Sequence, residues 1–239
     1  MSMMAFIPAR GGSKGIPRKN LALLAGKPLI QYTVEAAQQS KYIDEIFVSS
    51  DDDQIIDFCK SMGVDVRYKR PSNLASDEAP VIDAVFDAFE WKNQKKLAVP
   101  EHIILLQPTS PLRCARHIDE AVRAYMNLSA DSLISVHEMK EHPYECIRIS
   151  GNGWSFLSKP ARQVCRRQDY LDRFYYINGA IYIASASFIK INKTLFVENL
   201  SAIYIMEPVC GIDIDEPEDM FLAECLLSWR VCQMPVEVK

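Results

Sequence analysis

The chain has 239 residues, of which 49% are hydrophobic and 24% are charged, and its formal net charge is -4. An acidic chain is not expected to bind nucleic acid generally, because that usually requires a basic surface. No apolar run approaches the roughly 20 residues of a membrane span, and the seven cysteines include no C-x-x-C pair. We therefore expect a cytoplasmic protein with reduced thiols and with no membrane or nucleic-acid partner.

Short apolar runs alternate along the chain with longer stretches of helical spacing. This alternation is typical of an α/β fold, in which helices cover both faces of a largely parallel sheet. The predicted strands are 3–9, 44–50, 64–69, 103–106, 132–138, 179–185 and 200–206. The predicted helices are 28–40, 53–63, 79–95, 115–128 and 220–229.

Three of the predicted strands end in polar segments, which read "PARGGSKG", "SSDDD" and "QPTSPLR". Ligands of open α/β sheets bind beyond the carboxyl ends of the strands, so we expect these segments to face one crevice. The alternation stops between about residues 140 and 176, where turn residues precede the charged run "RQVCRRQDYLDR". We interpret this stretch as an arm inserted into a single domain that spans residues 1–239.

The segment "ARGGSKGIPRKN" follows the first strand and combines glycines with four cations. Glycines let backbone N–H groups approach a ligand, and the cations can neutralise phosphate charge. Local positive charge on an acidic protein favours a small anionic ligand over the alternative of a solvated turn. The segment contains neither a closing G-K-[ST] nor G-x-G-x-x-G, which argues against an ATPase and against a dinucleotide-dependent dehydrogenase.

The segment "GIDIDEPED" places Asp213 and Asp215 on the same side of an extended stretch. Neighbouring carboxylates repel each other unless a cation lies between them, and oxygen ligands close to phosphates suit Mg²⁺. We therefore expect a Mg²⁺ site at these two residues. The alternative is a solvated acidic turn in which Asp215 or Glu216 caps the following helix.

These segments occur in order with "RPSNLASDEAP", "RRQDY" and "NGAIYI", and together they cover nearly the whole chain. In that order they resemble the N-acylneuraminate cytidylyltransferase family, the CMP-sialic acid synthetases. The resemblance implies a Rossmann-like fold, a homodimer and the coupling of CTP to a nonulosonic acid with release of pyrophosphate. The anomeric hydroxyl of a nine-carbon 2-keto acid would attack the α-phosphate of CTP.

The resemblance implies that the loop after the first strand wraps the phosphates of CTP. Arg10 and Lys19 would carry catalysis together with Asp213 and Asp215, while Arg70 would hold cytosine. The residues expected to bind CTP are Arg10, Gly12, Ser13, Lys14, Lys19, Asn20, Arg70 and Ala79.

Two residues of "RPSNLASDEAP" would suit plain structural roles. Arg70 would equally suit a surface arginine whose stem lies on apolar groups. Asp77, close by in the same segment, would suit the N-cap of the helix predicted at 79–95.

The resemblance also implies a sugar site built on Gln107, since an amide can donate to a carboxylate and accept from a hydroxyl. Tyr182 would equally suit a place in the core. Arg167 would reach the active site of the partner chain from the arm, and Arg166 is a near-equal candidate. The residues expected to bind the sugar are Gln107, Thr109, Ser110, Arg167 and Tyr182, with Arg113 and Asn178 beside them.

The chain departs from the family pattern at two places close to the expected sugar. Glu145 stands in "HPYEC" where a lysine is common, and Tyr176 stands in "YYING" where an arginine is common. Both departures remove positive charge and leave the nucleotide chemistry intact. The expected acceptor is N-acetylneuraminate, with legionaminate, pseudaminate and KDO as alternatives. A non-catalytic nucleotide-binding regulator is disfavoured, because Arg10, Lys19 and both aspartates are present.

Overall fold

A six-stranded sheet forms the centre of the computed structural model, which describes residues 2–160, 166 and 170–233. Two short hairpins accompany the sheet within those residues. The strands are β1 (Met3–Pro8), β2 (Leu23–Leu24), β3 (Lys27–Pro28), β4 (Glu45–Ser49), β5 (His102–Leu105), β6 (Ser132–Glu138), β7 (Ile147–Ser150), β8 (Gly153–Phe156), β9 (Tyr175–Ser185) and β10 (Ala202–Met206).

The central sheet has the strand order β10-β6-β9-β5-β1-β4. Its neighbouring strands are parallel, except that β9 runs antiparallel to both β5 and β6. The prediction of an α/β fold with a largely parallel sheet is therefore confirmed. The carboxyl ends of β1, β4 and β5 point to the same edge, which brings the polar segments that follow them together.

Helices pack on both faces of the sheet. Their ends follow local rules: the Asp52 carboxylate accepts N–H groups of Gln54 and Ile55 at the start of α2, and Gly63 has a φ of +82° just after its end. The helices are α1 (Leu29–Gln39), α2 (Asp53–Ser61), α3 (Val81–Gln94), α4 (Ala115–Asn127), α5 (Ala186–Asn192) and α6 (Pro217–Gln233). The short helix α5 was not predicted.

Strand β1 separates the two halves of the core. Ala5 and Ile7 face the side covered by α1, α2 and α4, whereas Met4 and Phe6 face the side covered by α3 and α5. All four side chains are fully buried. Burying one large apolar side chain contributes about 1.5–3 kcal/mol, so the strand that carries the candidate phosphate loop is firmly anchored.

A bulge in β9 shapes the edge of the sheet near the site. The pairing of β6 with β9 slips between Ile134 and Val136, and Asn178 and Gly179 lie in the extra length of β9. Ser135 Oγ donates to Asn178 Oδ1 at 2.6 Å and accepts the N–H of Ile181 at 2.9 Å. These buried bonds replace the missing ladder contacts and fix the bulge.

The prediction of a strand at 64–69 was wrong. Val64, Val66 and Tyr68 are buried and their neighbours are exposed, as expected, but these described residues form no strand. Val66 N donates to Val64 O at 3.0 Å, a bond within the segment that competes with pairing to β4. The segment rejoins the edge of the sheet where Arg70 N donates to Ser50 O.

The predicted arm contains the hairpin of β7 and β8, whose residues are all exposed. Trp154 is 63% exposed and Ile149 is 75% exposed. Residues 161–165 and 167–169 lie outside the described residues, so the arm's role in dimerisation stays a prediction. No helix among the described residues has the length and hydropathy needed to cross a membrane.

Candidate active site

A pocket of about 340 Å³ lies at the carboxyl ends of β1, β4 and β5. Two of the three polar segments singled out in the sequence, "PARGGSKG" and "QPTSPLR", line it together with the acidic turn that precedes α6. No residue of "SSDDD" lines the pocket, so the expectation that this segment faces the crevice was wrong. The residues that line the pocket are Pro8, Arg10, Gly12, Ser13, Lys19, Asn20, Arg70, Leu74, Ser76, Asp77, Ala79, Val81, Gln107, Pro108, Thr109, Asp213 and Asp215. Most of the residues predicted to form the site therefore share one cavity.

The loop after β1 is held in place by its own polar groups. Gly11 N donates to Asp51 Oδ1 at 2.9 Å, and Asn20 Nδ2 donates to Arg10 O at 2.8 Å. Ile16 is buried with Ile214 in a small apolar cluster beneath the loop. The loop is therefore shaped before any ligand arrives, which lowers the entropic cost of binding.

Asp77 is an anionic partner of the loop cations. Its carboxylate lies 2.6 Å from Arg10 Nη2 and 3.1 Å from Lys14 Nζ. The pKa of Asp77 is lowered by its hydrogen bond from Lys14 and by the charge of Arg10. Helix α3 instead takes Pro80 as its N-cap, so the reading of Asp77 as an N-cap was wrong. Lys14 itself is largely exposed and does not line the pocket.

Lys19 connects the loop to the acidic turn. Its Nζ donates to Ile214 O at 2.7 Å and to Asp215 Oδ1 at 2.9 Å. Close approach is possible because Gly15 faces the turn, where an added Cβ would lie only 2.2 Å from Asp215 O. Lys19 is thus the lysine partner of Asp215, although the two residues are far apart in sequence.

Asp213 lies in a less favourable environment for a carboxylate. The residue is exposed to solvent, but partial desolvation of its carboxylate by surrounding protein and the charge of Asp215 raise its pKa, against a hydrogen bond from Thr109 and the charge of Lys19. Thr109 O also accepts the N–H of Ile214 at 2.8 Å, which holds the turn against the end of β5. A nearby cation stabilises the ionised form of a carboxylate whose pKa is raised beside a second carboxylate.

Asp219 stabilises the same turn from the start of α6. Its Oδ2 accepts the N–H groups of Asp215 and Glu216 at 2.9 and 2.8 Å. Asp219 lies in the first turn of α6. The carboxylate of Asp215 contacts Lys19 and does not cap α6. The side chain of Asp219 instead accepts the backbone N–H groups that precede this helix.

Arg70 is a buried arginine, only 6% exposed, that reaches the pocket. Its Nε donates to Ser49 Oγ at 2.9 Å and its Nη2 donates to Ser49 O at 2.6 Å. Burial lowers its pKa. Both bonds use one edge of the guanidinium, which fixes the plane of the group at the pocket. The alternative of a surface arginine was wrong.

Gln107 lies at the end of β5 between the pocket and the β9 bulge. Gly179 has a φ of +72°, and an added Cβ there would lie 2.7 Å from Gln107 Oε1 and 4.0 Å from the Tyr182 hydroxyl. Glycine is therefore required both by the backbone and by the close side chain. Tyr182 stacks on Phe196 with ring centroids 5.9 Å apart and does not line the pocket.

Ser110 and Arg113 lie behind the pocket wall. Both are buried, and neither lines the cavity. Arg113 Nη2 donates to Thr33 Oγ1 at 2.6 Å and to Gln107 O at 3.3 Å, and burial lowers its pKa. These two residues therefore support the segment that carries Gln107. For Ser110 this position behind the wall differs from the direct sugar contact that was expected.

The predicted arm residues have mixed placements. Arg167 lies outside the described residues, whereas Arg166 is described and exposed. Glu145 is exposed at the end of a short helical turn, Pro143–Glu145, in which Pro143 is buried. Tyr176 is 57% exposed, with its ring 5.6 Å from that of His137.

Sequence reasoning missed the carboxylates that organise the cationic loop. Asp51 holds Gly11, and Asp52 lies 3.2 Å from Arg18 Nη2 while it also caps α2. The run "SSDDD" at the end of a predicted strand was the signal that could have found these carboxylates. The helical pattern of the residues that follow also indicates that an aspartate of this run caps a helix. Arg18 is occupied by this contact and does not line the pocket.

The pocket brings the cations of the loop together with the two carboxylates of the acidic turn, and Lys19 directly contacts Asp215. Arg10 and Lys19 can bind phosphate oxygens, and Asp213 and Asp215 offer the oxygen ligands that Mg²⁺ prefers. Backbone groups of the glycine-containing loop add hydrogen-bond donors. Such an arrangement suits phosphoryl or nucleotidyl transfer, in which charge develops on phosphate oxygens.

Comparisons with known proteins agree with this chemistry. A family model described as Cytidylyltransferase matches residues 4–195. The CMP-N,N'-diacetyllegionaminic acid synthase of Legionella pneumophila is 37% identical over 228 residues, which cover 95% of this chain and 97% of that relative. An N-acylneuraminate cytidylyltransferase of Streptococcus agalactiae is 35% identical over 92% of this chain and 52% of its own length. A pseudaminic acid cytidylyltransferase of Campylobacter jejuni is 30% identical over 95% of this chain and 96% of its own length.

A solved structure extends the likeness to the fold. CMP:2-keto-3-deoxy-manno-octonic acid synthetase complexed with CTP matches with a TM-score of 0.69, covering 96% of this chain and 100% of that one at 17% identity. The fold is thus shared at low sequence identity. Because the family model spans most of the chain and relatives align along nearly all of it, this chain belongs to the cytidylyltransferase family.

Proposed function

We propose that this protein couples CTP to a sialic-type, nine-carbon 2-keto acid and releases pyrophosphate. The observation that carries the proposal is the single pocket that joins the loop of Arg10 and Lys19 to the Asp213–Asp215 turn, with Gln107 between them. The family membership supplies the cytidylyl transfer, and the names of the aligned relatives supply the class of acid.

The triphosphate would lie along the cationic loop. Arg10 is held by Asp77 in the protein without ligand, so an entering phosphate replaces one anionic partner by another. The loop keeps its shape during this exchange because Asn20 holds the Arg10 carbonyl. Cytosine would lie at Arg70 and the backbone of Ala79, where one edge of the guanidinium is already fixed by Ser49.

The acid would lie beside Gln107. The side-chain amide offers both a donor and an acceptor, and Gly179 leaves the space that Gln107 occupies. Arg113 and Thr33 hold the backbone of Gln107 from behind. Alignment of the anomeric hydroxyl with the α-phosphate removes much of the entropic barrier, so no covalent enzyme intermediate is needed.

Asp213 and Asp215 fit a Mg²⁺ site in the chemistry of their donors. Two carboxylates suffice, since Mg²⁺ usually keeps waters and binds substrate phosphates as its further ligands. When bound, the ion would neutralise charge on the α-phosphate and on the leaving pyrophosphate. Lys19 holds Asp215 in position, and Thr109 lowers the raised pKa of Asp213, which favours its ionised form.

Among sialic-type acids we place N,N'-diacetyllegionaminate ahead of N-acetylneuraminate, the acceptor expected from sequence. The relative named for diacetyllegionaminate matches along 97% of its length at 37% identity. Tyr176 and Glu145 also lie at exposed positions where the family pattern carries cations. Pseudaminate and KDO follow as alternatives.

A homodimer is part of the same proposal. The β7–β8 hairpin exposes Ile149, Trp154 and Phe156, an apolar surface that association would remove from water. The arm would then carry Arg167, or its neighbour Arg166, to the sugar in the partner's pocket.

The direct experiment incubates the purified chain with Mg²⁺, one nucleoside triphosphate and one acid at a time. We expect pyrophosphate and a CMP-sugar, identified by mass, with CTP and with diacetyllegionaminate or N-acetylneuraminate. UTP should be a poor donor because its ring presents a carbonyl where cytosine presents an amine. Equal use of UTP would contradict the cytosine site, and failure of every acid would contradict the acceptor class.

A further inference from the structure

Three carboxylates line the pocket among the described residues, and the proposed reaction gives a role to only two of them, Asp213 and Asp215. The third belongs to Asp77, which lies 2.6 Å from Arg10 Nη2 and 3.1 Å from Lys14 Nζ. Both cations are expected to bind phosphate. Because carboxylate and phosphate oxygens accept the same charge-assisted hydrogen bonds, Asp77 and a triphosphate would compete for the same donors.

The fold does not depend on these contacts of Asp77. Helix α3 takes Pro80 as its N-cap and has no side-chain cap bond. The side chains of Arg10, Lys14 and Asp77 are 33%, 80% and 35% exposed, and ion pairs open to water contribute little to stability. The backbone of Arg10 is held separately, by the bond from Asn20 Nδ2 to its carbonyl. The effect of Asp77 should therefore be found in ligand binding.

The carboxylate can leave the two cations without a rearrangement of the pocket. Pro71 and Pro80 bracket the segment that carries Asp77, with φ fixed at -58° and -61°. Arg70 Nη1 also contacts Leu74 O in this segment, at 3.5 Å. The backbone is thus restrained, and a rotation of the partly exposed Asp77 side chain toward solvent is enough to free the donors.

We propose that Asp77 is an internal competitor that sets how tightly the pocket holds polyphosphate. CTP displaces the carboxylate from Arg10 and Lys14, and the carboxylate returns to them when pyrophosphate leaves. The competitor is attached to the chain, so its effective concentration at the site stays high. This inference rests on the proposed function, in which pyrophosphate is the product that must depart.

The test measures the binding of CTP and of pyrophosphate separately, by isothermal titration calorimetry with Mg²⁺ held constant and with no sugar acid present. We expect full-length Asp77→Asn to bind each ligand about two- to tenfold more tightly than the wild type, the size expected for the loss of two part-exposed ion pairs. The matched control is Glu78→Gln, which removes the same charge from an adjacent exposed residue that does not line the pocket. Its affinities should change much less.

An equal gain in Glu78→Gln would overturn the proposal, because the effect would then be one of net charge. Weaker binding by Asp77→Asn would also overturn it, since Asp77 would then serve to orient Arg10 for the ligand. Circular dichroism of each variant checks that the chain is folded.

A double-mutant cycle ties the effect to the cation. In an Arg10→Ala background, Asp77→Asn should give little further gain in affinity, because the principal partner of the carboxylate is gone. The full gain in that background would contradict the assignment. If the wild type bound neither CTP nor pyrophosphate, the proposed function itself would be wrong. Normal binding by the wild type with no gain in Asp77→Asn would contradict the competition alone.

Discussion

Lys19 Nζ lies 2.9 Å from Asp215 Oδ1, so an ion pair joins the loop after β1 to the acidic turn before α6 at the pocket. The Lys19 side chain is 13% exposed, whereas that of Asp215 is 69% exposed. An exposed carboxylate contributes little to stability through such a pair, about 0–1 kcal/mol. We propose that the contact serves chiefly to position two charged groups for the reaction.

Lys19→Ala should lower kcat about 10²–10³-fold, the effect of removing one group that stabilises transition-state charge. The free energy of unfolding should change little. Lys27→Ala is the matched control, since Lys27 forms a surface pair with Glu35 at 3.0 Å and does not line the pocket. Equal kinetics for the two variants, with CTP and acid both saturating, would place Lys19 outside the reaction.

Arg10→Ala should weaken the use of CTP more than the use of the acid. Loss of a charge-assisted phosphate contact costs about 1.5–3 kcal/mol, which is about a 10- to 150-fold fall in kcat/KM for CTP. Arg18→Ala is the comparison, because Arg18 contacts Asp52 and Gln54 away from the cavity. If both variants showed the same CTP dependence, Arg10 would have no phosphate role.

Gly179→Ala should raise the KM for the acid and leave the KM for CTP nearly unchanged. The new Cβ would meet Gln107 Oε1 at 2.7 Å and push the amide away. Gly63→Ala introduces a similar backbone strain at a φ of +82° with no neighbouring atom within 4 Å. Both variants should therefore lose stability, and steady-state kinetics should separate them. A normal acid KM in folded Gly179→Ala would contradict the placement of Gln107 in the sugar site.

The proposed dimer predicts complementation between two inactive chains. Arg167→Ala and Asp213→Asn would damage different parts of one shared site, so a mixed dimer would hold one intact site and one doubly defective site. After subunit exchange at equal amounts, activity should return to about a quarter of wild type. No recovery despite exchange confirmed by mass spectrometry would contradict action of Arg167 across the dimer.

The sequence was sufficient for the fold because its strongest signals are local. The apolar run of β1 and the helical spacing of α3 come from periodic burial, which depends on neighbouring residues. The segment at 64–69 shows the limit of that reasoning. Its side chains alternate as in a strand, but whether the backbone pairs with β4 depends on hydrogen bonds that periodicity does not encode.

Site residues that belong to recognisable sequence motifs could be predicted. Their ion pairs with residues that lie far away in sequence could not. Arg10, Gln107 and Asp213 were recognised from their segments, and they share the pocket. The partners Asp77 of Arg10 and Lys19 of Asp215 depend on tertiary contacts over long separations.

In the proposed reaction the acid attacks the α-phosphorus of CTP directly within this pocket. The most direct measurement uses one diastereomer of CTP that carries sulfur on the α-phosphate, and determines the configuration at phosphorus in the CMP-sugar product. A single in-line displacement inverts that configuration, and inversion is the result we predict. Retention would show two successive displacements through an enzyme-bound nucleotide, and would contradict the account.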